Sequence, residues 1–248
     1  MMENLLKPQN KIKNKNINEN IKKLLNNVNE ACIKANKNFE DIIIIGVTKT
    51  VEPVYINEAI KCGIKHIGEN KVQEFLEKKD KLNLENIKTH FIGTLQTNKV
   101  KKIVGQVDMI QSVDSIKLAK EISRVSTERN LITDILLEIN IGKETTKSGI
   151  FKEEIIDILG RISILPNIKV KGLMSIPPSC ENKMESRKYF SKIFDVFIDM
   201  RSQKLDNIDM KYISMGMSDD YFEAILEGAN IIRPGTAIFG NRFYKYKV

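Results

Sequence analysis

The chain has 248 residues, of which 42% are hydrophobic, and this suffices for one large domain such as a (β/α)8 barrel of about 250 residues. No apolar run is long enough to span a membrane, and the polar N-terminus lacks the core of a signal peptide, so a cytoplasmic location is expected. The net charge of +8 comes from lysines scattered along the chain with few aromatic residues among them, which argues against nucleic-acid binding.

The N-terminal region divides into a flexible segment and a helix. Residues 1–16 are polar without periodicity, which predicts flexibility. From Ile17 to about Lys37, apolar residues recur at helical spacing and predict a helix. No linker rich in proline, glycine or serine follows, so residues 17–248 are predicted to form one domain.

Beyond this helix, strand-like and helix-like segments alternate. The predicted strands are 41–47, 64–68, 89–92, 107–111, 133–139, 168–174, 210–214 and 230–232. The predicted helices are 54–62, 70–80, 97–104, 115–129, 151–160, 184–203 and 219–228. This order favours a single (β/α)8 barrel with an extra N-terminal helix over the alternative, a doubly wound open sheet.

The first strand ends next to a lysine of chemical interest. Its run of branched apolar residues has no polar face, which is typical of a strand buried on both sides. Lys49 follows this run, at the carboxyl edge where α/β folds build ligand sites. A partly desolvated amine there can attack a carbonyl group. The alternative is a solvated lysine at a strand end.

Two later strand ends carry candidate phosphate-binding groups. Ser218 is predicted to cap the helix after the seventh strand, with Asp219 and Asp220 facing outward in its first turn. Free N–H groups at such a helix start can also hold an anion. After the eighth strand, Gly235 and Thr236 would present two N–H groups and a hydroxyl. Many barrels bind phosphate after strands seven and eight.

Few other residues suggest chemistry. Arg233 ends the eighth strand, where an inward-facing arginine could touch a ligand. His66 and His90 are predicted at strand starts, opposite the site face, with a structural role. The three cysteines and the remaining metal-binding residues have no ligand spacing, so no metal site is predicted.

A reactive lysine, a phosphate site and an arginine at one barrel mouth predict a site for pyridoxal 5′-phosphate (PLP). Lys49 would hold the aldehyde as a Schiff base. The helix start at Ser218 and the turn at Gly235 and Thr236 would hold the phosphate. Arg233 would face the pyridine nitrogen and, because arginine only donates hydrogen bonds, leave it unprotonated. Such a ring is a weak electron sink, which predicts modest carbanion chemistry at best.

Seven segments along the chain form a recognisable set. They are Gly-Val-Thr-Lys49-Thr, Gly68-Glu-Asn70-Lys-Val-Gln73-Glu, His90-Phe-Ile-Gly-Thr-Leu-Gln96-Thr-Asn98-Lys99, Lys147-Ser-Gly149, Lys171-Gly-Leu-Met174-Ser-Ile-Pro177, Gly216-Met-Ser-Asp-Asp220 and Arg233-Pro-Gly-Thr236-Ala-Ile-Phe-Gly240. From about residue 17 onward, their order and spacing resemble the YggS/PROSC family of PLP homeostasis proteins. That family has the barrel domain of alanine racemase without its C-terminal β-domain.

The resemblance implies a set of cofactor contacts and no catalytic residue. It adds Asn70 beside the cofactor and Met217 near the phosphate. The full implied set is Lys49, Asn70, Met217, Ser218, Arg233, Gly235 and Thr236. Departures from the family pattern are small: Thr48 replaces a usual serine, Thr97 replaces a variable residue, and Pro234 replaces an aliphatic residue.

The family's members are regarded as PLP carriers that keep free PLP low, so the resemblance implies a cytosolic homeostasis protein without robust turnover. Apo PLP-dependent enzymes are candidate recipients, and a monomer is expected. Alanine racemase takes a second base, a tyrosine, from its extra domain, and Tyr244 and Tyr246 near the end of this sequence are poor substitutes. An amino-acid racemase of alanine-racemase type is the alternative. A module that binds RNA or an acidic partner, motivated only by the charge, is a third hypothesis.

Overall fold

Eight parallel strands close into a barrel in which each strand pairs with its neighbours in chain order. The computed structural model describes residues 7–240 except 145, 179, 181 and 204, with side chains from residue 17 onward. The strands are β1 Ile43–Val47, β2 His66–Glu69, β3 Lys88–Phe91, β4 Met109–Val113, β5 Thr133–Ile139, β6 Ile168–Ser175, β7 Ile208–Ser214 and β8 Ile231–Ile232. Each lies within a couple of residues of its predicted position, so the predicted (β/α)8 barrel is confirmed.

Helices surround the barrel. They are α1 Lys7–Ala35, α2 Pro53–Lys61, α3 Val72–Lys78, α4 Val100–Ile103, α5 Ile116–Glu128, α6 Ile155–Ser163, α7 Lys183–Arg201, α8 Tyr221–Leu226 and α9 Thr236–Phe239. The sequence predicted all of these except α9, which has only four residues. α4 is equally short, but a 3-10 turn at Thr97–Lys99 precedes it, and the predicted helix 97–104 covers both. No helix in the described part of the chain is long and apolar enough to cross a membrane.

The N-terminal helix begins earlier than predicted. α1 starts at Lys7, inside the segment 1–16 for which the sequence predicted no regular structure, so the predicted boundary at Ile17 was wrong. Packing of Ile17, Ile21 and Leu24 anchors the helix, and a helix once nucleated can continue into polar residues that show no apolar period. Residues 1–6 lie outside the described residues, and the flexibility of the segment stays a prediction.

α1 packs against the two helices that follow β7 and β8. The side-chain amide of Asn20 donates to the carbonyl oxygen of Ile238 in α9 at 3.0 Å. The amide of Asn27 donates to the hydroxyl of Tyr221 in α8 at 3.1 Å. The extra helix therefore holds α8 and α9, which begin at or just after the two segments predicted to bind phosphate.

Alternate residues of each strand fill the inside of the barrel. A separate apolar cluster there contains Ile45, Met109, Leu136, Met174 and Ile231. Because side chains alternate between the two faces of a strand, the positions two residues further along point to the same side. Two residues beyond Met109, Leu136 and Ile231 this inward face carries the polar residues Gln111, Glu138 and Arg233, which lie towards the barrel mouth.

Candidate functional site

Lys49 lies just beyond the carboxyl end of β1 and is half-buried. The next residue, Thr50, has φ of 63°, a left-handed conformation that is rare for a β-branched side chain. Its backbone N–H donates to Glu74 Oε1 at 2.5 Å. Such a conformation costs about 1–3 kcal/mol, so contacts from other elements must hold the turn after Lys49 in place.

Those contacts centre on Lys78 in α3. Its ammonium donates to the carbonyl oxygen of Thr48 at 2.9 Å, to Glu69 Oε2 at 3.1 Å and to Glu74 Oε1 at 2.5 Å. Burial raises the pKa of Glu69, and the charge of Lys78 opposes this. Burial would also raise the pKa of Glu74, but hydrogen bonds from Lys78 and Thr50 bring it below its usual value. One cation thus ties the end of β1, at the residue before Lys49, to β2 and α3.

Asn70 follows β2 and brings an unsatisfied group to the site. Its side-chain oxygen Oδ1 is buried and has no hydrogen-bond partner among the described residues. The position is tightly set, because a Cβ atom added to Gly93 would lie 2.2 Å from the carbonyl oxygen of Asn70. A buried polar atom without a partner costs about 1–3 kcal/mol, so this amide is suited to a bound ligand.

Ser218 caps a different helix from the one predicted. Its Oγ accepts hydrogen bonds from the backbone N–H groups of Gly235, at 3.0 Å, and Ala237, at 3.1 Å. These groups belong to the start of α9, which follows β8. The structure therefore joins the two predicted phosphate-binding segments into one donor cluster, in which the hydroxyls of Ser218 and the exposed Thr236 can donate to a ligand, whereas the N–H of Gly235 already donates to Ser218.

The helix after β7 starts later than predicted because the chain turns once more before it. α8 begins at Tyr221, with Asp220 at its N-cap position. Asp220 Oδ1 accepts from the backbone N–H of Met217 at 2.6 Å, and the side chain of Met217 is 42% exposed. Burial raises the pKa of Asp220, although the bond from Met217 lowers it. The predicted N-cap role of Ser218 in this helix was wrong.

The donor cluster lies against the strand that leads to Lys49. The backbone N–H of Val47 donates to the carbonyl oxygen of Pro234 at 3.0 Å. A Cβ atom added to Gly235 would lie 3.4 Å from Cβ of Val47. Ser218, the Gly235 turn and Lys49 are therefore grouped at one side of the barrel mouth.

Arg233 is buried inside the barrel. This is the inward orientation in which the sequence predicted that it could reach a ligand. Its Nη1 donates to Ser214 Oγ at 2.6 Å and its Nη2 to the carbonyl oxygen of Ser175 at 2.9 Å. Burial lowers the pKa of Arg233 to about 10, and the charges of Glu138 and Asp220 oppose this. The guanidinium therefore remains a cation at neutral pH.

The two histidines lie on the interior side of the barrel and contact each other. His66 Nδ1 lies 3.0 Å from His90 Nε2, and His90 Nδ1 lies 3.1 Å from Gln111 Nε2. His66 is the first residue of its strand, as predicted, but His90 is the third residue of β3. Burial, and then the charge of His66, lower the pKa of His90 to about 3. Both rings belong to a buried hydrogen-bonded network.

Sequence reasoning missed Gln111, Ser214 and Glu138. Glu138 lies two residues after Leu136, an interior residue of β5, and alternation alone would have placed it on the inward face. It is half-buried, and burial, together with the charge of Asp114, raises its pKa to about 7 despite Arg233. A strongly shifted carboxyl group near a candidate site is a typical functional feature.

The raised pKa predicts how stability depends on pH. The folded protein holds the Glu138 proton more tightly than the unfolded chain does, because the folded pKa is about 7 and the usual value 4.5. This group's contribution to stability is present below the unfolded pKa and is lost as pH rises through the folded pKa. We expect Glu138→Gln to raise the melting temperature at about pH 8 and to leave it nearly unchanged at about pH 4, below the unfolded pKa.

Thermal unfolding of the ligand-free protein at both pH values checks this expectation. Glu85→Gln is the matched control, since Glu85 is exposed. An equal change in melting temperature at both pH values for Glu138→Gln would contradict the pH dependence.

Comparison with known proteins shows the family of this chain. The family described as alanine racemase, N-terminal domain, matches residues 12–242. A pyridoxal phosphate homeostasis protein of Aquifex aeolicus is 42% identical over 226 residues, covering 91% of this chain and 98% of the relative. That of Escherichia coli K12 is 30% identical over 234 residues, covering 93% and 99%. The chain belongs to the family of pyridoxal phosphate homeostasis proteins, as its motifs predicted.

Solved structures agree with the fold. PipY of Synechococcus elongatus, determined with PLP bound, superposes with a TM-score of 0.79 at 30% identity, covering 90% of this chain and 100% of PipY. Alanine racemase of Clostridium difficile gives a TM-score of 0.64 at 16% identity and is matched over 57% of its length. The similarity to alanine racemase, at 16% identity, shows only that the two proteins share the barrel fold.

Proposed function

We propose that this chain binds PLP as a Schiff base on Lys49 and serves PLP homeostasis without robust catalytic turnover. One observation carries the proposal: Ser218 and the Gly235 turn form a donor cluster against Val47, two residues before Lys49. A reactive amine and an anion-binding cluster at adjacent strand ends match the two ends of PLP. The homologues that share this fold are named as homeostasis proteins.

The residues of the site fit the functional groups of PLP. The cofactor supplies an aldehyde for an amine and a ring that can withdraw electrons. The hydroxyl of Ser218 accepts two N–H groups, so its own hydrogen remains to be donated to a phosphate oxygen. Gly235, whose N–H already donates to Ser218, forms the turn at the start of α9, and Thr236 would add its exposed hydroxyl as a second donor. Met217 lies in the neighbouring turn.

Asn70 and Arg233 fit the aromatic ring. The buried side-chain oxygen of Asn70 lacks a donor among the described residues, and a phenolic hydroxyl of a ligand would donate to it. Arg233 can only donate, which suits an unprotonated pyridine nitrogen. An unprotonated pyridine ring withdraws electrons weakly, so this pairing with Arg233 supports reversible binding of PLP more than carbanion chemistry.

A racemase of alanine-racemase type is the second candidate, because one observation favours it. Glu138 places a half-buried carboxyl group with a pKa of about 7 near Arg233, and such a group can move protons at neutral pH. Its role would be that of a general acid or base. The homologues' names favour homeostasis over this alternative.

The predictions from the sequence about oligomeric state, location and partners belong to the same proposal. The protein would act as a monomer in the cytoplasm and pass PLP to apo PLP-dependent enzymes. Neither nucleic acid nor a membrane is required as a partner.

Absorbance titration of the purified protein with PLP tests the binding proposal. We expect a yellow protein that saturates at one PLP per chain, and recovery of enzyme activity when an apo PLP-dependent enzyme is added, because PLP would pass to it. A protein that stays colourless with PLP would refute binding. Retention of PLP in the presence of a tight apo-enzyme would refute delivery, and sustained turnover of L- or D-alanine would establish the racemase.

A further inference from the structure

A continuous chain of hydrogen bonds crosses the interior of the barrel. Arg233 Nη1 lies 2.6 Å from Ser214 Oγ, and that oxygen lies 2.7 Å from Gln111 Oε1. Gln111 Nε2 lies 3.1 Å from His90 Nδ1, and His90 Nε2 lies 3.0 Å from His66 Nδ1. Arg233, Ser214, Gln111 and His90 are at most 4% exposed, so water competes little for these bonds.

Arginine fixes the direction of the first half of this chain. A guanidinium group has no acceptor, so the Ser214 hydroxyl must accept from Arg233. The single hydrogen of that hydroxyl then goes to Gln111 Oε1. A reversed amide would bring a second donor to Ser214 and leave its buried hydrogen without an acceptor. The amide of Gln111 therefore has its oxygen towards Ser214 and its NH2 group towards His90.

The same logic fixes the protons on both histidines. Because Gln111 donates to His90 Nδ1, that nitrogen carries no hydrogen. A neutral His90 then has its proton on Nε2, which donates to His66 Nδ1. His66 must in turn carry its own proton on Nε2. The low pKa of His90, caused first by burial, agrees with a neutral ring.

We propose that Gln111 is a positioning residue: through Ser214 it holds the guanidinium of Arg233 in one orientation, and it transmits that orientation to His90 and His66 as a fixed Nε2–H tautomer. Two bonds from different nitrogens of Arg233, to Ser214 and to the carbonyl of Ser175, define the guanidinium plane. The consequence for ligand binding rests on the proposed PLP function. The tautomer assignment does not, because it concerns the protein alone.

Nitrogen NMR of the ligand-free wild-type protein tests the direction of the chain without any substitution. The sequence has only two histidines, so selective 15N-histidine labelling resolves every ring nitrogen, and His66→Gln assigns them. We expect both rings to have a protonated Nε2 and an unprotonated Nδ1. A protonated Nδ1 on His90, or an even mixture of its two tautomers, would overturn the proposal.

Gln111→Glu tests the role of the amide. A carboxylate only accepts, so Nδ1 of His90 should gain a proton in this variant. Gln106→Glu is the matched control, because Gln106 is exposed and already accepts from Lys79. It should leave all histidine signals unchanged. An unchanged His90 tautomer in folded Gln111→Glu would contradict the proposal.

Ser214→Ala is the second variant, in case Gln111→Glu does not fold. Without the hydroxyl, the amide is free to reverse, so a second tautomer of His90 should appear, and a single unchanged tautomer would count against the proposal.

PLP titration of the variants tests the consequence for ligand binding. In whichever variant folds, we expect PLP affinity about tenfold below that of wild type and a shifted visible absorbance band, while Gln106→Glu matches wild type. A folded Gln111→Glu or Ser214→Ala protein with the PLP affinity and visible absorbance band of wild type would show that Gln111 does not position Arg233. Failure of wild-type protein to bind PLP would instead refute the proposed function and leave the tautomer result standing.

Discussion

Lys49→Ala is expected to abolish the yellow colour that wild-type protein acquires with PLP. The substitution removes the amine that the proposal assigns to the Schiff base, and the remaining contacts would be noncovalent. We expect PLP affinity to fall by at least about 100-fold, equivalent to about 2.8 kcal/mol. Absorbance titration measures the affinity. Borohydride reduction followed by peptide mass analysis shows which lysine carries PLP.

Lys65→Ala is the matched control for this experiment. Lys65 is exposed and directly precedes β2, so it lies at the opposite end of that strand from Asn70. It should bind PLP as wild type does, with the label still on Lys49. A yellow Lys49→Ala protein with PLP reduced onto another lysine would show that the reactive amine has been misassigned.

Gly93→Ala is expected to destabilise the protein and weaken PLP binding together. An added Cβ atom would lie 2.2 Å from the carbonyl oxygen of Asn70 and 2.7 Å from its Cα. Neither neighbour can yield easily, because both are backbone atoms, and the carbonyl oxygen of Gly93 is itself held by Ser112 Oγ at 2.6 Å. Overpacking of this kind costs about 3 kcal/mol. The displacement should also move Asn70 away from its place in the site.

Gly160→Ala provides the control for this comparison. Gly160 lies in α6, and a Cβ atom added there meets no atom within 4 Å. Alanine should raise the free energy of unfolding by about 0.5–1 kcal/mol, because glycine is the poorer helix former. Urea unfolding and PLP titration of both variants supply the measurements. Equal urea midpoints for the two variants would show that the β2 and β3 ends adapt more freely than these contacts indicate.

The barrel and much of its mouth could be predicted because the signals are local. Strands such as β1 and β5 contain runs of branched apolar residues, and long helices such as α1, α5 and α7 show a helical period. The positions of Lys49 and Arg233 follow from counting along a single strand. The start of α1 could not be predicted, since its first residues are polar and the helix is anchored by packing further along.

The bonding partners depended on contacts between residues far apart in sequence. Ser218 looked like the cap of the helix that follows it, yet its hydroxyl binds the start of α9, which only the closed barrel brings near. Gln111 and Ser214 are separated by 103 residues and share a hydrogen bond of 2.7 Å. No periodic pattern encodes such a pair.

The sequence by itself therefore determined the order of strands and helices and the lysine at the end of β1, because each depends on residues that are neighbours along the chain. Only the tertiary structure decided which groups share protons: the partners of Arg233, the tautomers proposed for the two histidines and the raised pKa of Glu138. The physical reason is that hydrogen bonding and desolvation depend on what surrounds a side chain, and closure of the barrel sets those surroundings.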